Sequence, residues 1–303
     1  MKAVTVNNIK KRYGAKKPFV SALEGVSFEV EKGELFGIIG PDGAGKTSLF
    51  RILTTLLLAD GGNVMVDGLD VVKNYKDIRE RVGYMPGRFS LYQDLTVREN
   101  LEFFATIFNT SIEANYDLVK DIYSQIEPFK DRKAGKLSGG MKQKLALSCA
   151  LIHRPSVLFL DEPTTGVDAV SRKEFWEMLK KLRSQGITIL VSTPYMDEAG
   201  LCDRVALIQA GKIMSVDTPE GIVSAFGKKL LAVKSDSMLH LLNELKACPD
   251  VEDAYPFGEY HHAVMKQGGQ KELNNYLLRS GKAFELKEVT PDIEDCFMAL
   301  MKN

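Results

Sequence analysis

Apolar positions recur along the chain at two spacings, and the switches between them mark the elements. Met1–Tyr13 alternates like a strand around Val4–Val6, and residues 23–30 and 35–39 read as further strands, the last entered through Lys32-Gly33. From Gly45 the spacing turns helical as far as Leu58, and Asp60-Gly61-Gly62 closes that helix. Residues 64–66 and 82–84 give short strands, and residues 97–108 and 116–126 give helices. A helix from about Gly140, a continuous apolar strand over 157–160, a helix over 172–184 and another apolar strand over 187–192 follow. Continuous apolar strands alternating with helices predict an α/β fold around a parallel sheet.

Near Phe226-Gly227 the units shorten. Strands are expected at 230–234, 251–255, 262–266 and 283–288, helices at 238–247 and 272–279, and a last helix from Pro291. That βαββαβ order is the split-βαβ, ferredoxin-like arrangement with one terminal helix. The expected domains are therefore 1–225 and a small α+β domain, 226–303. Gly268-Gly269 reads as a loop tip, and no internal repeat or low-complexity segment is visible.

Composition narrows the function classes. The 303 residues are 45% hydrophobic and 26% charged, which is globular rather than disordered. Forty basic residues balance forty acidic ones, so a broad electrostatic grip on nucleic acid or anionic lipid is not expected. Cys149, Cys202, Cys248 and Cys296 stand far apart, which disfavours a structural zinc site or a disulfide scaffold and fits a reducing compartment. No apolar run is long enough to span a bilayer, and the first residues lack the apolar core of a signal peptide. The expectation is a soluble intracellular protein that meets any membrane through a partner.

Gly40, Pro41, Asp42, Gly43, Ala44, Gly45, Lys46 and Thr47 match G-x-x-x-x-G-K-[ST], between an apolar strand and an amphipathic helix that Ser48 continues. Glycines there let backbone N–H groups turn inward around phosphate oxygens at a helix N-terminus. Lys46, expected to be solvated, would pair with β- and γ-phosphates, and the Thr47 hydroxyl would ligate Mg²⁺. A bare glycine turn is the bland alternative. A dinucleotide fingerprint is the rival, weakened by Ser48 at the place of its third glycine. Residues 157–160 deliver Asp161 and Glu162 at the C-terminal edge of a buried strand, where ligands of open α/β sheets sit. Asp161 would hold Mg²⁺ through water and Glu162 would polarise the attacking water, although acidic pairs after strands are often mere surface. Leu137, Ser138, Gly139, Gly140 and Met141 could be no more than a helix N-cap.

Taken in order, the phosphate loop, the L-S-G-G segment and the apolar strand ending in D-E resemble the ATP-binding cassette (ABC) family of ATPases. The resemblance implies a P-loop cassette with a helical subdomain about 87–150. It also implies that the L-S-G-G helix presents its N-terminus to the γ-phosphate held by an opposite cassette, so that two cassettes sandwich the nucleotides. Tyr13 matches the family's adenine-stacking aromatic residue, and Gly166-Val167-Asp168 its intersubunit loop. Residues 91–100 look like the helical-subdomain entry of lipid- and drug-exporter cassettes, and residues 290–297 like the end of the small C-terminal domain in that subgroup.

Two positions depart from the family pattern. After Tyr84-Met85-Pro86 the family has a glutamine that ligates Mg²⁺ and signals to the membrane domain; here Gly87 stands, with Arg88 next and Gln93 six residues on. After the strand over 187–192 and Thr193 the family has a histidine that touches the γ-phosphate; here Pro194 stands, with neither donor nor acceptor on its side chain. None of the four histidines, 153, 240, 261 and 262, lies nearby in sequence. Lys46, Asp161 and Glu162 remain, so either the departures are sequence drift with full activity kept, Glu162 being the main base, or the chain belongs to an asymmetric machine with a second, more complete cassette.

The resulting expectation is the ATP-hydrolysing subunit of a membrane exporter, using ATP and Mg²⁺. It would lie at the inner face of the cell membrane, with a separate transmembrane subunit and a second cassette as partners and no nucleic acid. A soluble cassette ATPase of translation or DNA maintenance is the alternative. The Thr47-to-Ser138 interval leaves no room for the long coiled-coil insertion common there, and there is one cassette. A regulator that binds ATP with little hydrolysis also stays open, because of Gly87 and Pro194.

Overall fold

The computed structural model describes residues 1–14, 19–266, 268–279 and 283–301, in two compact units, Met1–Pro219 and Glu220–Asn303. The first runs β1 (Lys2–Tyr13), β2 (Val20–Glu31), β3 (Leu35–Ile39), α1 (Lys46–Leu53), β4 (Gly61–Val66), β5 (Leu69–Asp70), α2 (Tyr75–Arg81) and β6 (Val82–Met85). It continues with α3 (Val97–Ile107), α4 (Tyr116–Tyr123), α5 (Gly139–Leu151), β7 (Val157–Asp161), α6 (Ala169–Ser184), β8 (Thr188–Thr193), β9 (Arg204–Gln209) and β10 (Lys212–Asp217). The boundary between the units falls at the start of α7 (Pro219–Ser224).

One sheet has the order β10-β9-β3-β8-β7-β6, parallel except for the β9–β10 edge pair. Every residue of β3, β7 and β8 is buried, as expected for strands covered on both faces. The apolar runs therefore mark the middle of this sheet. A second, antiparallel sheet, β2-β1-β4-β5, shares a core with α1, in which Val4, Leu23, Phe50 and Phe159 are all buried. Periodicity marks β1, β2 and β4 only as strands and gives no sign of β9, β10 or α2.

The helix that follows Gly40–Gly45 ends at Leu53, five residues before the expected Leu58. Thr54 turns its hydroxyl back onto the Phe50 carbonyl at 2.8 Å, and Thr55 adopts a left-handed φ of 64°. Arg79 then holds Thr55 through its hydroxyl and carbonyl, 2.8 and 3.0 Å away. Two β-branched residues with competing side-chain bonds outweigh the apolar spacing that continues beyond them.

The stretch from Leu91 folds around one buried side chain. Asn100 accepts from the Tyr92 N–H at 3.0 Å and donates to the Tyr92 and Thr96 carbonyls, each 2.9 Å away. Thr96 and Glu99 form a reciprocal capping box that starts α3.

The second unit runs β11 (Leu230–Ser235), α8 (Met238–Ala247), β12 (Val251–Phe257), β13 (Tyr260–Met265), α9 (Gln270–Leu278), β14 (Phe284–Val289) and α10 (Ile293–Leu300). Its antiparallel sheet has the order β12-β13-β11-β14, the ferredoxin-like order, with Leu231, Val233, Leu241, Leu245 and Leu273 in its core.

Candidate functional site

The segment Gly40–Gly45 bridges the buried end of β3 and the start of α1, and it is seated by backbone bonds. Gly40 N–H donates to the Thr193 carbonyl at 3.2 Å, and Gly211 N–H donates to the Ala44 carbonyl at 3.0 Å. A Cβ on Gly40 would lie 2.1 Å from the Ile208 carbonyl oxygen, and one on Gly45 2.3 Å from that of Ala22. Gly45 also has φ 105°, which side-chain-bearing residues rarely adopt. These two glycines are fixed by backbone packing as well as by chemistry.

Lys46 is buried, contrary to the expectation that it is solvated. It is 3% exposed, and its ammonium donates to the carbonyls of Gly40 at 2.7 Å and Pro41 at 3.0 Å. The same nitrogen pairs with Glu162 Oε1 at 3.0 Å. The loop curls around its own lysine, because a buried ammonium needs acceptors on several sides. Glu162 itself has φ 51°, a strained left-handed conformation, and its N–H is held by both the hydroxyl and the carbonyl of Ser192, each at 3.0 Å.

Asp161 lies beside this pair. The Thr47 hydroxyl donates to its Oδ1 at 3.3 Å and the Ser192 hydroxyl at 2.7 Å. Burial pushes the Asp161 carboxyl above the usual carboxylate range, and the bonds from Ser192 and Thr47 pull it partly back. Burial, reinforced by the Asp161 charge, raises the neighbouring Tyr84 phenol to about 12. A buried carboxylate next to a hydroxyl suits Mg²⁺, which takes one or two protein oxygens and completes its shell with water and phosphate oxygens. The donor set fits Mg²⁺ in that way; among the described residues there is no cluster of three or more acidic, histidine or cysteine ligands.

Tyr13 ends β1, partly exposed, with its hydroxyl 3.1 Å from that of Ser48. The strand register thus brings the aromatic ring to the first turn of α1. Ser138 caps α5, its Oγ accepting from the Met141 N–H at 3.3 Å. A Cβ on Gly140 would lie 2.7 Å from the Ser171 hydroxyl, and one on Gly139 3.6 Å from the Gly166 carbonyl. Asp168 caps α6 by accepting from the Val170 and Ser171 N–H groups at 3.1 and 3.0 Å, which holds its carboxyl below the usual range. Residues 138–141 therefore pack on residues 166–171. Among the described residues, no hydrogen bond or ion pair joins them to residues 40–48.

The two departures have definite surroundings. A Cβ on Gly87 would sit 2.9 Å from the Asp161 carbonyl oxygen, so the backbone itself approaches the end of β7. Gln93 lies against Gly135: its backbone carbonyl accepts from the Gly135 N–H at 2.9 Å, and a Cβ on Gly135 would lie 3.6 Å from the Gln93 Oε1. After Pro194, the Tyr195 N–H folds back onto the Thr193 hydroxyl at 3.1 Å. Ser192 and Glu198 were not foreseen. A serine one residue before the C-terminal end of a fully buried strand is the available signal for the first. Glu198 is 1% exposed, and nothing in its exposed-looking sequence neighbourhood marks it.

Residues 23–165 match the family described as "ABC transporter", and the chain belongs to it. Its first unit is an ATP-binding cassette. It is 39% identical over 248 residues to the Nod factor export ATP-binding protein I of Burkholderia lata, covering 80% of either chain. It is 37% identical to the daunorubicin resistance ATP-binding protein DrrA2 of Streptomyces coeruleorubidus, over 84% of this chain and 79% of that one. It is also 37% identical to the probable multidrug ABC transporter ATP-binding protein YbhF of Escherichia coli, over 98% of this chain. The chain spans only about half of YbhF, 52% of its length. Among solved structures, a dimeric ATP-binding cassette in a post-hydrolysis state bound to ADP and Pi has a TM-score of 0.65. It is 26% identical and covers 71% of this chain, which covers 98% of it.

Proposed function

We propose that this chain is the ATP-binding and ATP-hydrolysing subunit of a membrane exporter. It would work as a cassette dimer with separate transmembrane subunits, peripheral to the inner face of the membrane. The observation that carries the reading is one cluster. The Lys46 ammonium lies 3.0 Å from Glu162 Oε1, and Asp161 beside Glu162 receives the Thr47 hydroxyl at 3.3 Å. The names of the relatives, all ATP-binding proteins and two of them of drug resistance or multidrug type, support the exporter class.

In this reading Lys46 exchanges its loop carbonyls and Glu162 for β- and γ-phosphate oxygens, with loop N–H groups around the same phosphates. Tyr13 stacks on the adenine. Thr47 and Asp161 would hold Mg²⁺, which when bound would offset the charge on the phosphate oxygens. Glu162, freed from Lys46, accepts a proton from the water that attacks the γ-phosphorus, while the bond from that phosphorus to the β–γ bridging oxygen breaks and its electron pair leaves with ADP. Ser138, Gly139 and Gly140 of a second cassette approach the γ-phosphate, and Asp168 lies in the loop between the two sites.

No helix among the described residues is long and apolar enough to cross a membrane, so the transmembrane part of such an exporter would be another segment or chain. An apolar groove of about 650 Å³, lined by Tyr84, Met85, Leu91, Phe104, Ile107 and Phe108, is where we place it. The groove reaches Pro86, one residue from Gly87. Residues 226–303 would serve as an accessory domain.

A second reading, an ATP-binding cassette with little hydrolysis, is favoured by Gly87, whose backbone leaves a side chain little space beside Asp161. One experiment separates them. In Glu162→Gln, binding persists while the base is lost, so MgATP should drive closed dimers visible by size-exclusion chromatography. Phosphate release by the unmodified chain should be slow but dependent on Lys46, well below the ~10 s⁻¹ typical of enzymes. Unchanged turnover in Glu162→Gln removes Glu162 from the mechanism, and no Lys46-dependent release at all leaves only the regulatory reading.

A further inference from the structure

Glu198 is a buried carboxylate that the hydrolysis scheme does not use. It lies in a short 3-10 turn, Met196–Leu201, after β8 and Pro194. One oxygen, Oε2, accepts two hydroxyls: that of Thr193 at the end of β8, and that of Thr164 at 3.2 Å. Both threonines are buried. The other oxygen, Oε1, has no hydrogen bond among the described residues and pairs only with Arg172 Nε at 3.8 Å.

The two threonines belong to separate segments. Thr193 immediately precedes Pro194. Thr164 lies two residues after Glu162, in the turn that leads to Gly166 and Asp168. Arg172, in the first turns of α6 behind the Asp168 cap, also binds Asp197 at 2.9 Å and lies over the Tyr195 ring, 5.0 Å from its centroid. The turn after Pro194 and the start of α6 are thus tied by charges outside and by one carboxylate inside. Burying a carboxylate is costly unless its oxygens are satisfied, and an apolar side chain of similar size would fill the space without that cost. What such a side chain could not do is hold both hydroxyls at a fixed separation.

We propose that Glu198 is a positioning residue for the hydrolysis described above, an inference that rests on that reading. It keeps the turn from Glu162 to Asp168 fixed against the end of β8, a tie that Pro194 has no side-chain group to make. The base and the intersubunit loop then keep their places when the Lys46–Glu162 pair opens.

The test uses the full chain in three variants. Glu198→Ala removes the acceptor, Glu198→Gln keeps an oxygen for the two hydroxyls, and Thr164→Val removes one hydroxyl while keeping shape. Measured are MgATP affinity, single-turnover hydrolysis with protein in excess, and hydrogen exchange of the amides in 164–168. In Glu198→Ala the affinity should stay within about threefold while the single-turnover rate falls about 10–10²-fold, because misplacement costs rate more than binding. The 164–168 amides should exchange faster. Glu198→Gln should restore slow exchange and most of the rate, and Thr164→Val should reproduce the alanine effect in part. Rate and affinity falling in parallel, exchange unchanged in both Glu198→Ala and Thr164→Val, or Glu198→Gln no better than Glu198→Ala would each overturn the proposal. Absence of Lys46-dependent turnover in the unmodified chain would instead remove the hydrolysis reading. The exchange arm, which needs no nucleotide, would still decide whether Glu198 holds the turn.

Discussion

Lys46→Ala removes a buried cation, so it should weaken both nucleotide binding and the folded state. Three acceptors lose their donor at once: the Gly40 and Pro41 carbonyls, at 2.7 and 3.0 Å, and Glu162 Oε1 at 3.0 Å. Bonds to a charged group are worth about 1.5–3 kcal/mol each. Against that loss stands relief from keeping an ammonium out of water, so the balance is about 1–3 kcal/mol of stability. In a unit of this size that lowers Tm by roughly 2–12 °C. Binding should suffer more. Two lost charge-assisted contacts to phosphate come to about 3–6 kcal/mol, at least ~10² in Kd. Thermal melting without nucleotide and calorimetric titration with MgATP measure the two effects separately. In Glu162→Gln the partner charge is already gone, so adding Lys46→Ala should cost less, with a coupling of about 0.5–3 kcal/mol. Unchanged affinity would refute the phosphate site, and unchanged melting would refute the burial argument.

Asp161→Asn should raise the melting temperature while abolishing Mg²⁺-dependent turnover. Burial raises this carboxyl's pKa in the folded state, so its ionised form costs stability at neutral pH. The gap in Tm between variant and unmodified chain should therefore be smallest below the ordinary value of 3.8 and open as pH rises through the elevated folded value. A gap that closes with rising pH would contradict the sign. Gly87→Gln should not restore family-like activity, because its Cβ would meet the Asp161 carbonyl oxygen at 2.9 Å. We expect a loss of about 1–3 kcal/mol in stability and no gain in single-turnover rate; a stable, faster variant would show that the loop relaxes freely.

The central strands and the phosphate loop were legible because each carries its own signal. Leu35–Ile39 is continuously apolar, and Gly40 and Gly45 answer to backbone carbonyls that no larger residue could clear. What stayed hidden depends on partners distant in sequence. α1 stops at Leu53 because Arg79 captures Thr55, and no local spacing reveals that. The Lys46 environment is hidden from the sequence for a related reason. A lysine in a glycine-rich loop looks solvated until the loop is seen to close over it. Ser192, Asn100 and Glu198 are polar residues whose work is to hold hydroxyls or backbone groups, and periodicity sees them only as interruptions or as surface.

The floor beneath Gly40 has a consequence for how the protein is made. That glycine rests against the Ile208 carbonyl in β9 and donates to Thr193 at the end of β8. β3, which leads into it, takes β8 and β9 as its hydrogen-bonded neighbours. During synthesis the Gly40–Thr47 motif leaves the ribosome early, yet its supports are translated only at residues 188–209. A partly made chain therefore carries the motif without the cradle. Pairings so far apart in sequence close slowly, and until then the apolar strands lie open to misassociation. ATP can stabilise only the finished first unit by mass action, and it offers the growing chain no help on the way there.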